Sequence, residues 1–438
     1  MSAVQHITAK APALSNGQRP HDRPTRSRLE IAVGVALLVG SASALFPLLY
    51  GPTSLGAEEV AWLRYLWLPV YSVTVFLAVL SRRELKAAAP AFVPALALLA
   101  LAGASALWSI DPHITLRRWE ALAFNTLLAF YLAARFSWAE LVRMVAAALL
   151  ILALGSLAMA VGFPRLGIQS DANAGDWRGL WTQKNELGFN MVIGAQACLA
   201  TALLDARRRL LWLAGAGLCF LLLVLSRSGT SLLCLIPTCG LLAALTLSKQ
   251  RPVIGIIAVF IAGCAVLAVT GVVIIDIDLF YRAMGKDPTL TGRTDIWAAV
   301  MRRAAERPTL GYGYGAFWTD RFGPALLVRR EAGWDVPAAH NGWLDVLLQL
   351  GWTGVGAAAT YFALTAMASV RNLLSRGDGY WAVMYAIAFL ILSFSESDIL
   401  LQNSLEWILF LVVSTKLFLD LTHSARPAPA RLKLVRAV

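Results

Sequence analysis

Charge is scarce in this sequence. Charged residues make up 15% of its 438 residues, whereas about 25% is usual in soluble proteins. Hydrophobic residues make up 58%, and the mean hydropathy is +0.65. This composition excludes an ordinary soluble enzyme, a disordered protein and a collagen-like fibre. The formal charge of +12 comes largely from Lys and Arg between apolar runs, where they set membrane orientation, so we expect no nucleic-acid partner.

Cysteine is also scarce, and no two cysteines have a metal-ligand spacing. All five lie in apolar stretches: Cys198, Cys219, Cys234, Cys239 and Cys264. We interpret them as small buried hydrophobes, so neither a structural disulfide nor a zinc site is expected. The first 30 residues are polar and contain no apolar run followed by a cleavage site. They are predicted to form a disordered cytoplasmic tail.

Long apolar runs account for most of the chain. A membrane-spanning helix needs about 20 mostly apolar residues, and twelve runs are predicted to be spans of an all-α polytopic membrane protein. They are 31–50, 60–80, 88–108, 114–134, 143–162, 186–204, 210–226, 229–247, 252–275, 342–370, 380–396 and 399–420. The predicted organisation is a tail (1–30), nine helices (31–276), a long outer loop (277–341), three helices (342–421) and a cytoplasmic tail (422–438).

Basic residues set the predicted orientation. More than half of the 38 Lys and Arg residues fall in alternate connections and in the two tails, which places both termini in the cytoplasm. The outer loop 277–341 contains a stretch that Thr294 can cap and in which apolar residues recur at helical spacing. These residues are Ile296, Trp297, Val300, Met301 and Ala304. They predict an amphipathic helix on the outer membrane surface or folded over the bundle.

Basic residues on the outer side need a reason, because orientation rules deplete them there. Arg227 lies between two span ends, where an arginine marks a ligand, a partner or a pathway, or else snorkels to the headgroups. Arg293 precedes the loop helix, whose N-terminus favours phosphate. Its alternative is a pair with Asp295 or another loop carboxylate. Arg178 and Lys184 either bind a ligand or are solvated loop charges.

Two of the histidines, His113 and His340, fall on the predicted outer side. A lone histidine is more often structural than catalytic. His340, however, lies where the outer loop re-enters the membrane, which suits a proton acceptor.

Aromatic and acidic residues near the predicted outer side have two interpretations each. Tyr312, Tyr314 and Trp318 either stack on sugar rings or anchor the loop at the membrane interface. Glu396 and Asp398, near the outer end of the eleventh predicted span, either contact a substrate hydroxyl or pair with an arginine.

Five short motifs occur in order along these segments. They are WRGLWTQKNELG at 177–188, SRSGT at 226–230, TGRTDIW at 291–297, RPTLGYGYGAFW at 307–318 and AHNGWLD at 339–345. Together they resemble the O-antigen ligase and Wzy-type polysaccharide polymerase superfamily of bacterial inner-membrane glycosyltransferases. The similarity covers residues 175 to 360. The first and fourth motifs look closer to exopolysaccharide polymerases of the succinoglycan type.

The resemblance implies a multi-pass, GT-C-like protein of the bacterial inner membrane whose active site faces the periplasm. It implies a glycan donor on undecaprenyl pyrophosphate and an acceptor hydroxyl on a glycan or on the lipid A core. Membrane lipids are expected partners, and chain-length and export proteins are candidate partners. No cofactor and no metal is expected, since no Asp-x-Asp motif or acidic cluster is predicted on the outer side.

Roles follow from the same resemblance, residue by residue. Arg227 and Arg293 match arginines that hold the pyrophosphate, and His340 matches the histidine that activates the acceptor. Arg178 and Lys184 match a basic motif of exopolysaccharide polymerases and are predicted to bind pyrophosphate as well. Weaker predictions for glycan or acceptor binding concern Asn341, Tyr312, Tyr314, Trp318 and Glu396.

Three functions remain open on the sequence. A polymerase joins the glycan to another carrier-linked glycan, and a ligase joins it to the lipid A core or to a protein. A transporter also suits twelve spans with both termini inside. Against transport, the two halves of the chain show no repeat, and the largest outer segment lies between spans nine and ten. The polymerase is the preferred interpretation.

Overall fold

The fold of the described residues is helical. The computed structural model describes residues 27–44, 65–170, 173–275, 293–319, 323–376 and 380–424. The helices are α1 (Arg28–Gly40), α2 (Leu68–Leu80), α3 (Arg82–Ala88), α4 (Val93–Ala104), α5 (Pro112–Arg135), α6 (Trp138–Gly162), a single turn α7 (Pro164–Gly167), α8 (Lys184–Leu204), α9 (Arg209–Ser226), α10 (Gly229–Gln250), α11 (Pro252–Ile275), α12 (Arg293–Glu306), α13 (Pro324–Ala332), α14 (Gly342–Arg376), α15 (Tyr380–Leu392) and α16 (Leu405–Ser424). Short 3₁₀ turns connect several of them.

These helices are apolar enough for a polytopic membrane protein. Among the described residues, six helical stretches have the length and composition to cross a membrane, and further helices are apolar but shorter. Each of the twelve runs predicted from the sequence contains helix. The number of crossings and the orientation stay predictions.

Helix α8 lies at the centre of the bundle and packs against α6, α9, α10 and α15. Small residues make this packing close, as is common between membrane helices. A Cβ added at Gly188 would lie 2.6 Å from Ser228 Cβ, and one at Gly194 would lie 2.8 Å from Cys219 Sγ. The N-terminus of α8 is therefore held firmly against the junction of α9 and α10.

A second, smaller apolar core lies under α12, α13 and the start of α14. Ile296 and Val300 of α12 pack there with Phe317, Val328 and Leu348. The amphipathic helix predicted in the outer loop therefore exists and folds over neighbouring elements. One detail of that prediction is wrong, because α12 already includes Arg293, so that Thr294 lies inside its first turn and does not cap it. Met301 is exposed.

The polar ends of several predicted spans were misplaced. Helix α15 ends at Leu392 and α16 begins at Leu405. Glu396, predicted as the last residue of a span, therefore lies with Asp398 in the connection between these helices. Burial of the cysteines is also only partly correct. All five are free, and Cys198, Cys219 and Cys234 are buried, but Cys264 is exposed.

Candidate functional site

The segments that the sequence singles out meet at one end of the helix bundle. Helices α8, α10, α14 and α16 begin at this end, and α9 and α15 finish there. Helix α12, which carries Arg293, packs on α14, which follows directly after His340. The site is therefore built from helix ends, where side chains on different helices face one another.

One group of charges is organised by a buried carboxylate. Asp176 accepts from Lys184 Nζ at 2.5 Å through one oxygen, and from Arg227 NH1 at 3.4 Å through the other. The backbone N–H of the neighbouring Trp177 donates to the carbonyl of Leu225, near the end of α9. We call Asp176, Lys184 and Arg227 the Asp176 cluster. It joins the start of α8 to the end of α9.

Arg227 occupies an unusual backbone position with an accessible side chain. It follows the last residue of α9 with φ +48°, in the left-handed region. A residue other than glycine held there stores strain of about 1–3 kcal/mol, which often accompanies function. Its side chain is 66% exposed despite the contact with Asp176. The guanidinium is therefore accessible to a ligand at the surface of the site.

Arg178 is not the solvated loop charge that one interpretation of the sequence gave. Its guanidinium is buried and donates to the backbone carbonyls of Leu166 at 2.8 Å, Arg165 at 3.4 Å and Thr182 at 3.5 Å. Arg178 thus fixes the shape of the loop before α8. Its predicted contact with pyrophosphate is not tested.

Arg293 is the buried counterpart of Arg227. Its side chain is 8% exposed, and NH2 lies 3.4 Å from Glu396 Oε1. The other terminal nitrogen, NH1, is buried and has no hydrogen-bond partner among the described residues. A buried donor without an acceptor costs free energy, so this nitrogen is a candidate contact for an anionic ligand.

His340 lies beside Arg293 at the mouth of the same site. Its φ of +49° is again left-handed, and its ring stacks near Trp334 with 6.5 Å between centroids. Burial, and next the positive charge of Arg293, lower the pKa of His340 to about 3. The imidazole is therefore neutral at physiological pH and has a nitrogen lone pair available as a base.

Asn341 has a structural use in the described structure. Its Oδ1 accepts from the backbone N–H groups of Trp343 at 3.0 Å and Leu344 at 3.2 Å. This is the usual capping bond at a helix N-terminus. Asn341 therefore sets where α14 begins, two residues after His340, and its contact with a glycan stays a prediction.

Glu396 connects the two groups of charges. It pairs with Arg293, as one alternative from the sequence had it, and it accepts a hydrogen bond from Asn185. Asn185 follows Lys184, which holds Asp176 and through it Arg227. The start of α8 thus contacts both groups. We call Arg293, His340 and Glu396 the Glu396 cluster.

Acidic side chains gather at this site, contrary to the expectation of no acidic cluster. Glu186 and Glu406 interact electrostatically, and burial raises the pKa of Glu396 to about 7 and that of Asp398 well above its usual value. Sequence reasoning missed Glu186 and Glu406, although Glu186 stands inside the first motif. These acids do not form a metal-binding group of three or more ligands within the described part of the chain.

The aromatic residues of the fourth motif are anchored in protein. Tyr312 is buried and its hydroxyl contacts the Arg303 carbonyl at 2.9 Å. Tyr314 is buried and donates to the Leu400 carbonyl at 2.7 Å, and Trp318 Nε1 donates to Asp345 at 2.7 Å. These contacts hold the loop against the protein, an arrangement that neither interpretation from the sequence described, and the predicted contacts of these residues with glycan stay predictions.

Comparison with known proteins agrees with the motifs. A family model described as O-antigen ligase matches residues 213–359, a range that contains Arg227, Arg293 and His340. Exopolysaccharide production protein ExoQ of Rhizobium meliloti (strain 1021) is 29% identical over 239 residues, which are 51% of this chain and 54% of the relative. The chain thus spans about half the length of this curated relative. The resemblance to the O-antigen ligase and Wzy-type polymerase superfamily, and to its succinoglycan-type members, is confirmed.

Proposed function

We propose that this protein is a metal-independent glycosyltransferase of the bacterial inner membrane whose site faces the periplasm. In this proposal it crosses the membrane twelve times with both termini in the cytoplasm. It transfers a glycan from an undecaprenyl-pyrophosphate carrier to an acceptor hydroxyl and polymerises exopolysaccharide or O-antigen repeat units. The observation that carries the proposal is the buried NH1 of Arg293, which has no hydrogen-bond partner among the described residues and lies beside a neutral His340.

The leaving group explains the arginines. When the bond between the anomeric carbon and the pyrophosphate oxygen breaks, its electron pair goes to that oxygen, and negative charge develops on the lipid pyrophosphate. Guanidinium groups stabilise such charge with directed, charge-assisted hydrogen bonds. Arg293 offers a buried nitrogen that has no partner within the described ranges, and the exposed Arg227 offers a second positive group.

The acceptor explains the histidine. A hydroxyl oxygen attacks the anomeric carbon while the hydroxyl proton passes to the imidazole of His340. This requires a neutral imidazole, and His340 is neutral because burial and the charge of Arg293 lower its pKa. The same shift makes the imidazole a weaker base, since a general base works best with a pKa near the operating pH. In this proposal the bound pyrophosphate offsets the charge of Arg293, which raises the pKa of His340 towards its ordinary value. Direct displacement of this kind inverts the configuration at the anomeric carbon.

Polymerisation is preferred because the relative that aligns with half of the chain is named for exopolysaccharide production. A ligase that transfers the glycan to the lipid A core is the second candidate, because the matching family model is described as O-antigen ligase. Both share the donor and the site chemistry. They differ only in the acceptor.

A chromosomal deletion with size profiling of surface polysaccharides tests the proposal. If the protein is a polymerase, long polymer disappears while the lipid A core keeps its usual glycan. If polymer accumulates on the undecaprenyl carrier and lipopolysaccharide lacks its glycan, the protein is a ligase. A deletion that alters neither would contradict both functions. Complementation with the wild-type gene is the control.

A further inference from the structure

The peptide that precedes His340 is held from both sides. The carbonyl of Ala339 accepts a hydrogen bond from Trp297 Nε1 at 3.0 Å. The backbone N–H of Ala339 donates to Asp345 Oδ1 at 3.3 Å. Ala339 is fully buried, so water does not compete with these two bonds. Together they fix the position of Ala339, the residue that precedes His340.

Trp297 links this peptide to Arg293, another residue of the Glu396 cluster. Trp297 lies four residues after Arg293 in α12, and residues so spaced share one face of a helix. Its bond to Ala339 therefore ties the helix that carries Arg293 to the residue before His340. The relative position of the arginine and the histidine depends on this bond.

Asp345 is itself held by the loop that carries the fourth motif, residues 307–318. Trp318 Nε1 donates to the same Oδ1 atom at 2.7 Å. The loop runs along the first turns of α14, where the N–H of Tyr312 donates to the Leu348 carbonyl at 2.8 Å and the N–H of Trp352 donates to the Pro308 carbonyl at 2.8 Å. Asp345 thus connects Ala339 to a loop that is itself hydrogen-bonded to α14.

The backbone of His340 explains why such a frame is needed. A histidine at φ +49° is in a sparsely populated conformation that persists only when the surroundings determine it. The capping bonds of Asn341 hold the following residue, and Trp297 and Asp345 hold the preceding one. Without them the strained backbone would relax and move the imidazole.

We propose that Trp297 and Asp345 are positioning residues that hold the Ala339–His340 peptide so that the imidazole stays beside the Arg293 guanidinium. The inference rests on the proposed function. A displacement of about 1 Å in a reacting group lowers rates by about 100-fold. The effect belongs in kcat, because neither residue is assigned a contact with the donor.

The decisive variant is Trp297→Phe, which removes the indole N–H and keeps an aromatic ring. Trp108→Phe is the matched control, because Trp108 Nε1 donates to another loop carbonyl, that of Leu310, at 2.8 Å. We expect Trp297→Phe to lower kcat by about 10- to 100-fold and Trp108→Phe to change it little. The assay uses purified protein in nanodiscs and the lipid-linked repeat unit accumulated by the deletion strain.

Asp345 gives a second and independent test. Asp345→Asn keeps an oxygen that accepts both bonds and should retain most of the rate. Asp345→Ala should lose as much as Trp297→Phe. Affinity for undecaprenyl pyrophosphate, measured with the purified variants, should stay within about threefold of wild type in all of them, since the arginines are untouched.

Two results would overturn the inference. One is a Trp297→Phe rate equal to that of Trp108→Phe. The other is a loss of undecaprenyl pyrophosphate affinity as large as the loss of kcat, which indicates general disruption of the fold. An inactive His340→Ala with a fully active Trp297→Phe leaves the proposed function intact and removes only this inference. A fully active His340→Ala refutes the base assignment instead.

Discussion

Each of the two clusters in this site contains an arginine paired with a carboxylate, in different surroundings. The Asp176 cluster presents Arg227 with a side chain that is 66% exposed, whereas Arg293 in the Glu396 cluster is 8% exposed. Exposed ion pairs contribute little because water screens them, but buried charges interact strongly with whatever lies beside them. Under the proposed function, we expect the Asp176 cluster to attract the donor and the Glu396 cluster to stabilise the transition state.

The largest effect should come from His340→Ala. Loss of a general base lowers rates by about 100- to 10,000-fold, so transfer should become undetectable in a polysaccharide profile while the protein remains folded. His113→Ala is the matched control, because His113 is exposed at the start of α5. Binding of undecaprenyl pyrophosphate should be nearly unchanged. An active His340→Ala enzyme would end the assignment of the reaction to the Glu396 cluster.

A pair of conservative substitutions compares the clusters directly. Arg293→Lys keeps the charge opposite Glu396 but loses the planar fork, and we expect kcat/KM to fall by about 100-fold, as when one oxyanion donor is removed. Arg227→Lys should cost about fivefold or less, because an exposed pair contributes about 1 kcal/mol at most. Measurement of kcat/KM for both variants tests whether the two losses differ. Equal losses would show that burial does not separate the two roles.

The sequence predicted the helices better than it predicted their partners. Apolar length alone located helix in all twelve predicted runs, because burial in lipid needs a continuous apolar segment. The ends of helices were less predictable where acidic side chains form local ion pairs and hydrogen bonds. Glu396 was expected at the end of a span, yet it lies in a connection and is kept there by Arg293 and Asn185.

The candidate site could be predicted as a set of residues but not as a geometry. Membrane alternation placed Arg227, Arg293 and His340 on one side, and no periodicity states which helix ends meet there. Arg178 shows the limit most clearly. The sequence left it either a ligand contact, which stays a prediction, or a solvated loop charge, whereas its guanidinium is buried and donates to backbone carbonyls. That use depends on the local path of the loop, which neither spacing nor hydropathy encodes.

A smaller effect concerns the Asp176 cluster, in which Arg227 is exposed. Asp176→Asn removes the carboxylate that holds Lys184 and Arg227, so both cations should be less well placed for the pyrophosphate. We expect KM for the donor to rise by about three- to fivefold with kcat nearly unchanged. The part of the rise that comes from Arg227 should depend on ionic strength, since its side chain is 66% exposed, whereas the buried pair of Asp176 with Lys184 is screened much less. Asp335→Asn, at an exposed carboxylate beside Arg329, is the control.

The smallest effect concerns the dependence of stability on pH. The folded state holds the proton of Glu396 up to about pH 7, whereas an ordinary carboxyl releases it near 4.5. Glu396 therefore makes the free energy of unfolding fall as pH rises between these values. His340, with its pKa lowered from 6.5 to about 3, acts in the opposite direction across the lower part of this window.

Glu396→Gln isolates that contribution, because the glutamine keeps the shape of the side chain and cannot titrate. The wild-type protein should lose stability relative to the variant as pH rises from 5 to 7, and the difference should level off above pH 7. Thermal unfolding of both proteins in the same detergent measures it. A Tm difference that is constant over this range would mean that Glu396 is ionised throughout, like an exposed carboxylate, and the contrast between the two clusters would then rest on Arg293 alone.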